Sequence, residues 1–320
     1  MARTREEWIA LSSRRALSVL SKRPCCPIRM LEAKICEAGP GDKRPNPGSL
    51  TAAIKRLQQE ARIKTIPKQG ATDTPFYAPH FVATNSPSFT NLLTIRRHLY
   101  HVHKSITERK ELCGDVLEQI VDAALERSGV ASFLSRFPDQ NLPPDRPLDF
   151  VVEIAGVKWG GELKNLREWL YPDSLEIWSA ISKCCELNAV PLLITRKLPY
   201  VTYLFFGKAG VVGYQTHFQF FHPTAEPELA RVKAVDGLGY KDIRCTLDPD
   251  ANMIRLFQST LPRIGADFAS RFQRNRDLLL HFADTGQLGD RNLHPTKRSQ
   301  IFAEAWRQIV GSPYGDDLHV

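Results

Sequence analysis

The sequence predicts an α/β protein in two parts: a small α+β domain, then a larger domain whose mixed sheet is flanked by helices. Three observations carry this expectation. Residues 1–60 hold three apolar patterns of helical period, and two short strand-like runs around a glycine turn follow them. From residue 107 onward, helical patterns alternate with apolar runs of strand length, as in a sheet covered on its faces. At 320 residues the chain also exceeds what a single core usually organises. The expected boundaries are 1–85 for the small domain, 86–106 for a linker, 107–235 for the sheet domain and 236–320 for a mainly helical extension.

Charge separates the parts further. The formal net charge is +8, and residues 1–85 hold 15 Lys and Arg against 7 Asp and Glu. The remaining chain is balanced, so the whole positive excess lies in the first quarter. A field concentrated in this way favours a polyanionic partner over a merely solubilising role. No apolar run approaches the roughly 18 residues that span a bilayer, so no membrane partner is expected. The basic start "MARTREEWIALSSRRALSVLSKR" reads as a first helix and not as a transit peptide, because Glu6 and Glu7 interrupt its charge. Seven cysteines form no zinc-like spacing, and adjacent pairs rarely bridge each other. A reduced, cytoplasmic setting is the expectation.

In the first domain, Trp8 to Leu20 and "PIRMLEAKIC" carry apolar residues at helical spacing, with Pro27 at a first helical position. Ser49 is the expected cap of the third helix, "LTAAIKRLQQEAR". There Leu50, Ala53, Ile54 and Leu57 line one face, leaving Thr51, Lys55, Arg56, Gln58, Gln59 and Arg62 on the other. Such side chains donate to phosphates and read base edges. The hairpin "IKTIPKQGATDTPFYAPHF" brings Lys64 and Lys68 near its tip. Three helices followed by a hairpin resemble the winged helix-turn-helix family over residues 5–82. The resemblance implies a third helix in the major groove, a wing along the phosphates and double-stranded DNA as partner.

Residues 83–106 start as a Ser/Pro/Asn linker and continue as a basic apolar segment with His98, His101 and His103. With no Cys or carboxylate close in sequence, these histidines are read as facing solvent or phosphate, not a metal. The amphipathic helix "TERKELCGDVLEQIVDAALERSG" opens the second domain, and "VASFLSRF" is a candidate strand. Next comes "PLDFVVEIAGVKWGGELKN". Leu148, Phe150, Val152 and Ile154 share one strand face, while Asp149, Val151 and Glu153 share the other. After a turn near Gly156 the chain returns with Glu162 and Lys164 two residues apart, hence on one face. If the two strands pair, Asp149 and Glu162 converge beside Lys164.

Two converging carboxylates repel unless a cation lies between them. Hard oxygen donors suit magnesium, with manganese as a substitute. Such an ion lowers the pKa of a bound water and polarises a phosphate, and a neighbouring lysine offsets the developing charge. Asp and Glu-x-Lys on adjacent strands thus form a compact device for phosphodiester hydrolysis.

"PLD" at 147–149 and "ELK" at 162–164, within helix, strand pair, helix and strand, resemble the PD-(D/E)XK nuclease superfamily over about residues 107–221. The resemblance implies a restriction-endonuclease-like fold and a magnesium-dependent DNA endonuclease leaving 5′-phosphate and 3′-hydroxyl ends. Carried over by position, Asp149, Glu162 and the Leu163 backbone carbonyl would hold the metal, and Lys164 would be the catalytic lysine. Many members add a helix glutamate, for which Glu118 is the candidate, with Asp115 and Asp122 in competition. Arg196 and Lys197 read either as backbone contacts to the substrate or as a plain surface pair. "YVTYLFFG" and "HFQFF" read as core strands. A homodimer fits such an enzyme. The competing expectation is a non-catalytic winged-helix DNA-binding regulator or recombination accessory protein with an inactive nuclease fold. A nuclease for branched DNA or RNA is a third.

Overall fold

A computed structural model describes residues 4–36, 44–66, 81–85, 89–107, 115–130, 148–167, 169–234, 238–285 and 295–311. The chain is mixed α/β with open sheets. It divides into two compact units, one formed mainly by residues 1–110 and 224–243, the other by 111–223 and 244–318.

In the first unit, helix α1 (Arg5–Lys22) starts with a reciprocal cap. The Thr4 hydroxyl accepts from the Glu7 N–H (3.3 Å), and the Thr4 N–H donates to Glu7 Oε2 (2.7 Å). Its inner face buries Ile9, Ala16 and Leu20. Strand β1 (Cys25–Pro27) leads into α2 (Ile28–Ile35), and α3 (Pro47–Gln59) packs on α1. The cap of α3 is Asn46, whose side chain accepts from the Ser49 N–H (2.7 Å), not Ser49 itself. Pro47 explains the earlier start, since a first-turn proline has no N–H to leave unpaired. Strands β2 (Ile63–Ile66) and β3 (Phe81–Thr84) complete an antiparallel sheet in the order β1-β3-β2. Strand β1 has only three residues, too few to show a period in sequence.

The expected linker is largely helix α4 (Phe89–Thr107). Leu92, Leu99 and Val102 are buried along it, and it packs on β1. That stripe outweighs the Ser/Pro/Asn start that suggested a tether.

The second unit opens with α5 (Val116–Arg127), which buries Val116, Leu117, Ile120, Val121 and Ala124. "VASFLSRF" and the loop after it lie outside the described residues, apart from Val130. Strands β4 (Phe150–Ile154) and β5 (Val157–Lys164) pair antiparallel through a two-residue turn. Ala155 (φ 51°) and Gly156 (φ 75°) are both left-handed, as the tightest hairpins require. Helix α6 (Leu175–Glu186) leads to β6 (Val190–Thr195), parallel to β5 and buried throughout. Helix α7 (Tyr200–Ala209) leads to β7 (Val212–Gln215), parallel to β6, so the sheet order is β4-β5-β6-β7.

Helix α7 corrects the expectation that "YVTYLFFG" is a strand. Aromatic and β-branched residues favour strands locally. Here Thr202, Phe205, Phe206 and Ala209 recur at helical spacing and are all buried. Gly210 (φ 92°) ends the helix, and a Cβ there would lie 2.2 Å from the Phe272 nitrogen.

After β8 (Gln219–Phe221) the chain returns to the first unit as α8 (Glu226–Lys233), which packs on α4. The first unit thus recruits a segment that the sequence divides between the sheet domain and the helical extension, through buried Leu229, Val232, Leu238 and Tyr240. Strand β9 (Ile243–Cys245) and α9 (Ala251–Arg255) precede a π-helical turn (Leu256–Thr260), then α10 (Leu261–Thr285) and α11 (Pro295–Val310). Helix α10 packs on α6 and α11 on α7, so the expected helical extension is part of the core of this unit. Among the described residues no helix is long and apolar enough to cross a membrane.

Candidate functional site

The site forms where β4 begins and β5 ends. The ladder pairs Phe150 with Gly161, and the Asp149 N–H donates to the Gly161 carbonyl (3.1 Å). One further step along this antiparallel register sets Asp149 opposite Glu162. Asp149 Oδ2 accepts from the Leu163 N–H at 2.5 Å, which fixes the carboxyl against β5. Lys164 Nζ lies 2.6 Å from Glu162 Oε1, as the spacing of two on one strand face requires. The structure therefore brings Asp149, Glu162 and Lys164 together.

Glycines make this approach possible. A Cβ at Gly161 would sit 2.0 Å from the Phe150 ring, so the ring could not lie over β5 as it does. A Cβ at Gly160 would lie 2.6 Å from Cys184 Sγ on α6. Its absence lets α6 settle onto the sheet and delivers the neighbouring Lys183. That ammonium stands 3.9 Å from Glu162 Oε2, with its side chain only 15% exposed. Sequence reasoning missed Lys183, although it flanks the buried stripe Ile177, Ile181 and Cys184. Beyond β5, Asn165 exchanges two hydrogen bonds with the Phe220 backbone (2.6 and 2.9 Å), fixing the strand's exit.

The electrostatics of this cluster are strained. Burial first, and then the Glu162 charge, raise the Asp149 carboxyl from its ordinary 3.8 to about 6, against the Leu163 N–H and the two lysines. For Lys164, burial opposes the ammonium, but attraction to Glu162 and their hydrogen bond outweigh it and raise the pKa. Lys164 is therefore charged at neutral pH. Glu162 is only 7% exposed, and its Oε2 has no hydrogen bond among the described residues. The same holds for the buried Thr195 hydroxyl, across the parallel ladder from Lys164. A buried oxygen without a donor costs about 1–3 kcal/mol, so such atoms ask for a ligand.

Two hard carboxylates and an unserved oxygen fit a divalent cation of the magnesium type. Among the described residues no group of three or more His, Cys, Asp or Glu is gathered to hold a metal. Glu118, half-buried in the first turn of α5, does not join the pair as a third acid. Asp115 is exposed ahead of α5. Asp122 has a buried oxygen without a hydrogen bond and a pKa raised by burial and then by Glu126, not by the acids of the strand pair. Water or substrate oxygens would have to complete the coordination of any ion at Asp149 and Glu162. Of the histidine segment, His98 and His101 are exposed on α4.

Arg196 is neither a substrate contact nor a surface residue. It is fully buried, and its guanidinium donates to the carbonyls of Leu166 (3.3 Å) and Arg167 (2.6 Å). Lys197 is half-buried, with Nζ 3.0 Å from His217 Nδ1.

In the first unit, Thr51, Lys55 and Gln59 are exposed on α3. Arg62 is exposed just past its end, 3.8 Å from Glu60. Arg56 is tied to Glu6 at 2.7 Å, so part of its charge is already spent within the fold. Gln58 donates to the Thr65 hydroxyl on β2. Lys64 lies within β2 opposite Ala83, not at a hairpin tip, and is half-buried. Lys68 lies outside the described residues.

No protein-family model matches this chain, and no curated protein or solved structure matches it either.

Proposed function

We propose that this protein is a divalent-metal-dependent DNA endonuclease with a PD-(D/E)XK-type sheet domain, brought to duplex DNA by an N-terminal winged-helix domain. The observation that carries this reading is one cluster. Asp149 and Glu162 oppose each other on paired strands, Lys164 reaches Glu162 at 2.6 Å, and the second Glu162 oxygen is buried without a hydrogen bond among the described residues. Support for the DNA-binding half is the three-helix unit with its antiparallel sheet, the exposed Thr51, Lys55, Gln59 and Arg62, and the excess of positive charge in residues 1–85.

In this reading Asp149 and Glu162 hold magnesium or manganese, joined by the Leu163 carbonyl. When bound, such an ion would supply Lewis acidity toward the scissile phosphate. Lys164, charged at neutral pH, orients the attacking oxygen and offsets negative charge growing on the phosphate. The Leu163 N–H keeps Asp149 turned toward β5, and Lys183 adds a second cation on the side of Glu162 Oε2. The bond from phosphorus to the 3′-oxygen breaks, leaving 5′-phosphate and 3′-hydroxyl ends.

A supercoiled-plasmid nicking assay with magnesium or manganese, against an EDTA control, tests the proposal. Cleavage that needs the metal and disappears in Glu162→Gln and Lys164→Ala is the expected result. Duplex binding by folded protein with no nicking under any metal would instead favour a non-catalytic DNA-binding regulator. Metal-independent activity that survives both substitutions would refute the assignment.

A further inference from the structure

The first unit contains a cavity of about 1060 Å³ where the end of α1, β1, α2 and α4 meet. That volume is at the upper end of small-molecule sites. Val19, Ile95 and Leu99 provide apolar wall. Lys22, Arg23, Lys34 and His98 also line it, and among the described residues the lining includes no Asp or Glu. The cluster repels itself: burial first, then the charges of Arg23 and Lys241, lower the Lys34 pKa, with only the Cys26 thiol opposing. An ammonium pressed against apolar walls, as that of Lys34 is, is costly unless an anion compensates it. A nucleic-acid backbone would meet such charges on a polar open face, whereas these walls suit a hydrocarbon or aromatic body.

We propose that this cavity binds a small organic anion. Its apolar body would lie against Val19, Ile95 and Leu99, and its carboxylate, phosphate or sulfonate would be held by Lys22 and Lys34. Nothing in the proposal depends on catalysis at Asp149 and Glu162.

The test titrates the full chain with 8-anilinonaphthalene-1-sulfonate, an aromatic anion, and separately with neutral N-phenyl-1-naphthylamine, following fluorescence. One saturable anionic-dye site is expected, with the neutral dye about tenfold weaker or worse, the size of one lost charge-assisted hydrogen bond. Lys34→Met keeps the apolar stem and should weaken only the anionic dye, again by about tenfold. Lys22 is exposed, so Lys22→Ala serves the same purpose if Lys34→Met fails to fold. Ile95→Trp should exclude both dyes. Equal affinity for the two dyes, or anionic-dye binding unchanged in a folded Lys22→Ala and Lys34→Met, would overturn the proposal. So would displacement of the anionic dye by a short DNA duplex at its own binding concentration, which would make the cavity part of a nucleic-acid face.

Discussion

Among the buried charged groups of the second unit, the fold treats Arg196 and Glu162 in opposite ways. Arg196, at the end of β6, is fully buried, yet its guanidinium reaches the carbonyls of Leu166 and Arg167. Glu162, near the end of the neighbouring β5, is almost as buried. It is drawn toward two lysines, faces a second acid, and leaves one oxygen without a hydrogen bond among the described residues. A buried charge that holds backbone carbonyls of its own unit serves the fold. A charge left incomplete beside a like charge is held for something that arrives later.

The contrast can be broken most forcefully at Glu162. Glu162→Gln should lower metal-dependent nicking by about a thousandfold or more, since it removes one of two charged ligands and the partner of Lys164. Its circular dichroism spectrum should match that of the unchanged protein. Nicking at the original rate would place Glu162 in the same structural class as Arg196.

Arg196→Met should do the reverse, leaving the acids in place while the fold weakens by about 3 kcal/mol, as buried carbonyls lose their donors. Urea denaturation reads this directly. An unchanged midpoint would show that the carbonyls find other donors.

Asp149→Asn keeps an oxygen to accept from the Leu163 N–H but removes the repulsion with Glu162. Because the folded pKa is raised to about 6, the unchanged protein pays for ionising Asp149 as pH rises from about 4 through 6. The variant should therefore match it near pH 4 and exceed it above pH 6, by on the order of 1–3 kcal/mol in the absence of divalent metal. Magnesium should close that gap, and thermal melts across pH measure it. A gap independent of pH would mean that neither burial nor the Glu162 charge raises the Asp149 pKa.

Lys183→Ala sharpens the comparison from the other side. Nicking should fall about tenfold, with DNA affinity changing less than turnover, because Lys183 stands beside Glu162. Unchanged turnover would leave it a helper of folding alone. The smallest effect is expected at the turn: Ala155→Gly should raise stability by at most about 1 kcal/mol, by relieving a left-handed alanine.

Much of the acid pair was legible before any fold was known. Alternation in "PLDFVVEI" and "GGELKN" sets which residues share a face, and a two-residue turn then sets Asp149 opposite Glu162. Lys183 was not legible, because its place depends on how closely α6 docks over Gly160. The Arg196 assignment failed for a similar reason: a charged residue at a strand end reads as exposed until the carbonyls that solvate it are known. Helix α7 was misread because aromatic and β-branched composition outweighed a four-residue helical stripe.

The chain's own order of residues determined three things about this protein: the strand alternation, the helical stripes and the confinement of excess positive charge to residues 1–85. These are local or additive properties, readable from spacing and counting. Tertiary structure alone decided that residues 224–243 join the first unit, that α4 is a packed helix, and that a second lysine approaches Glu162. Each of these depends on which distant surfaces bury one another, and the energy of burial belongs to the pair of surfaces, not to either stretch of sequence.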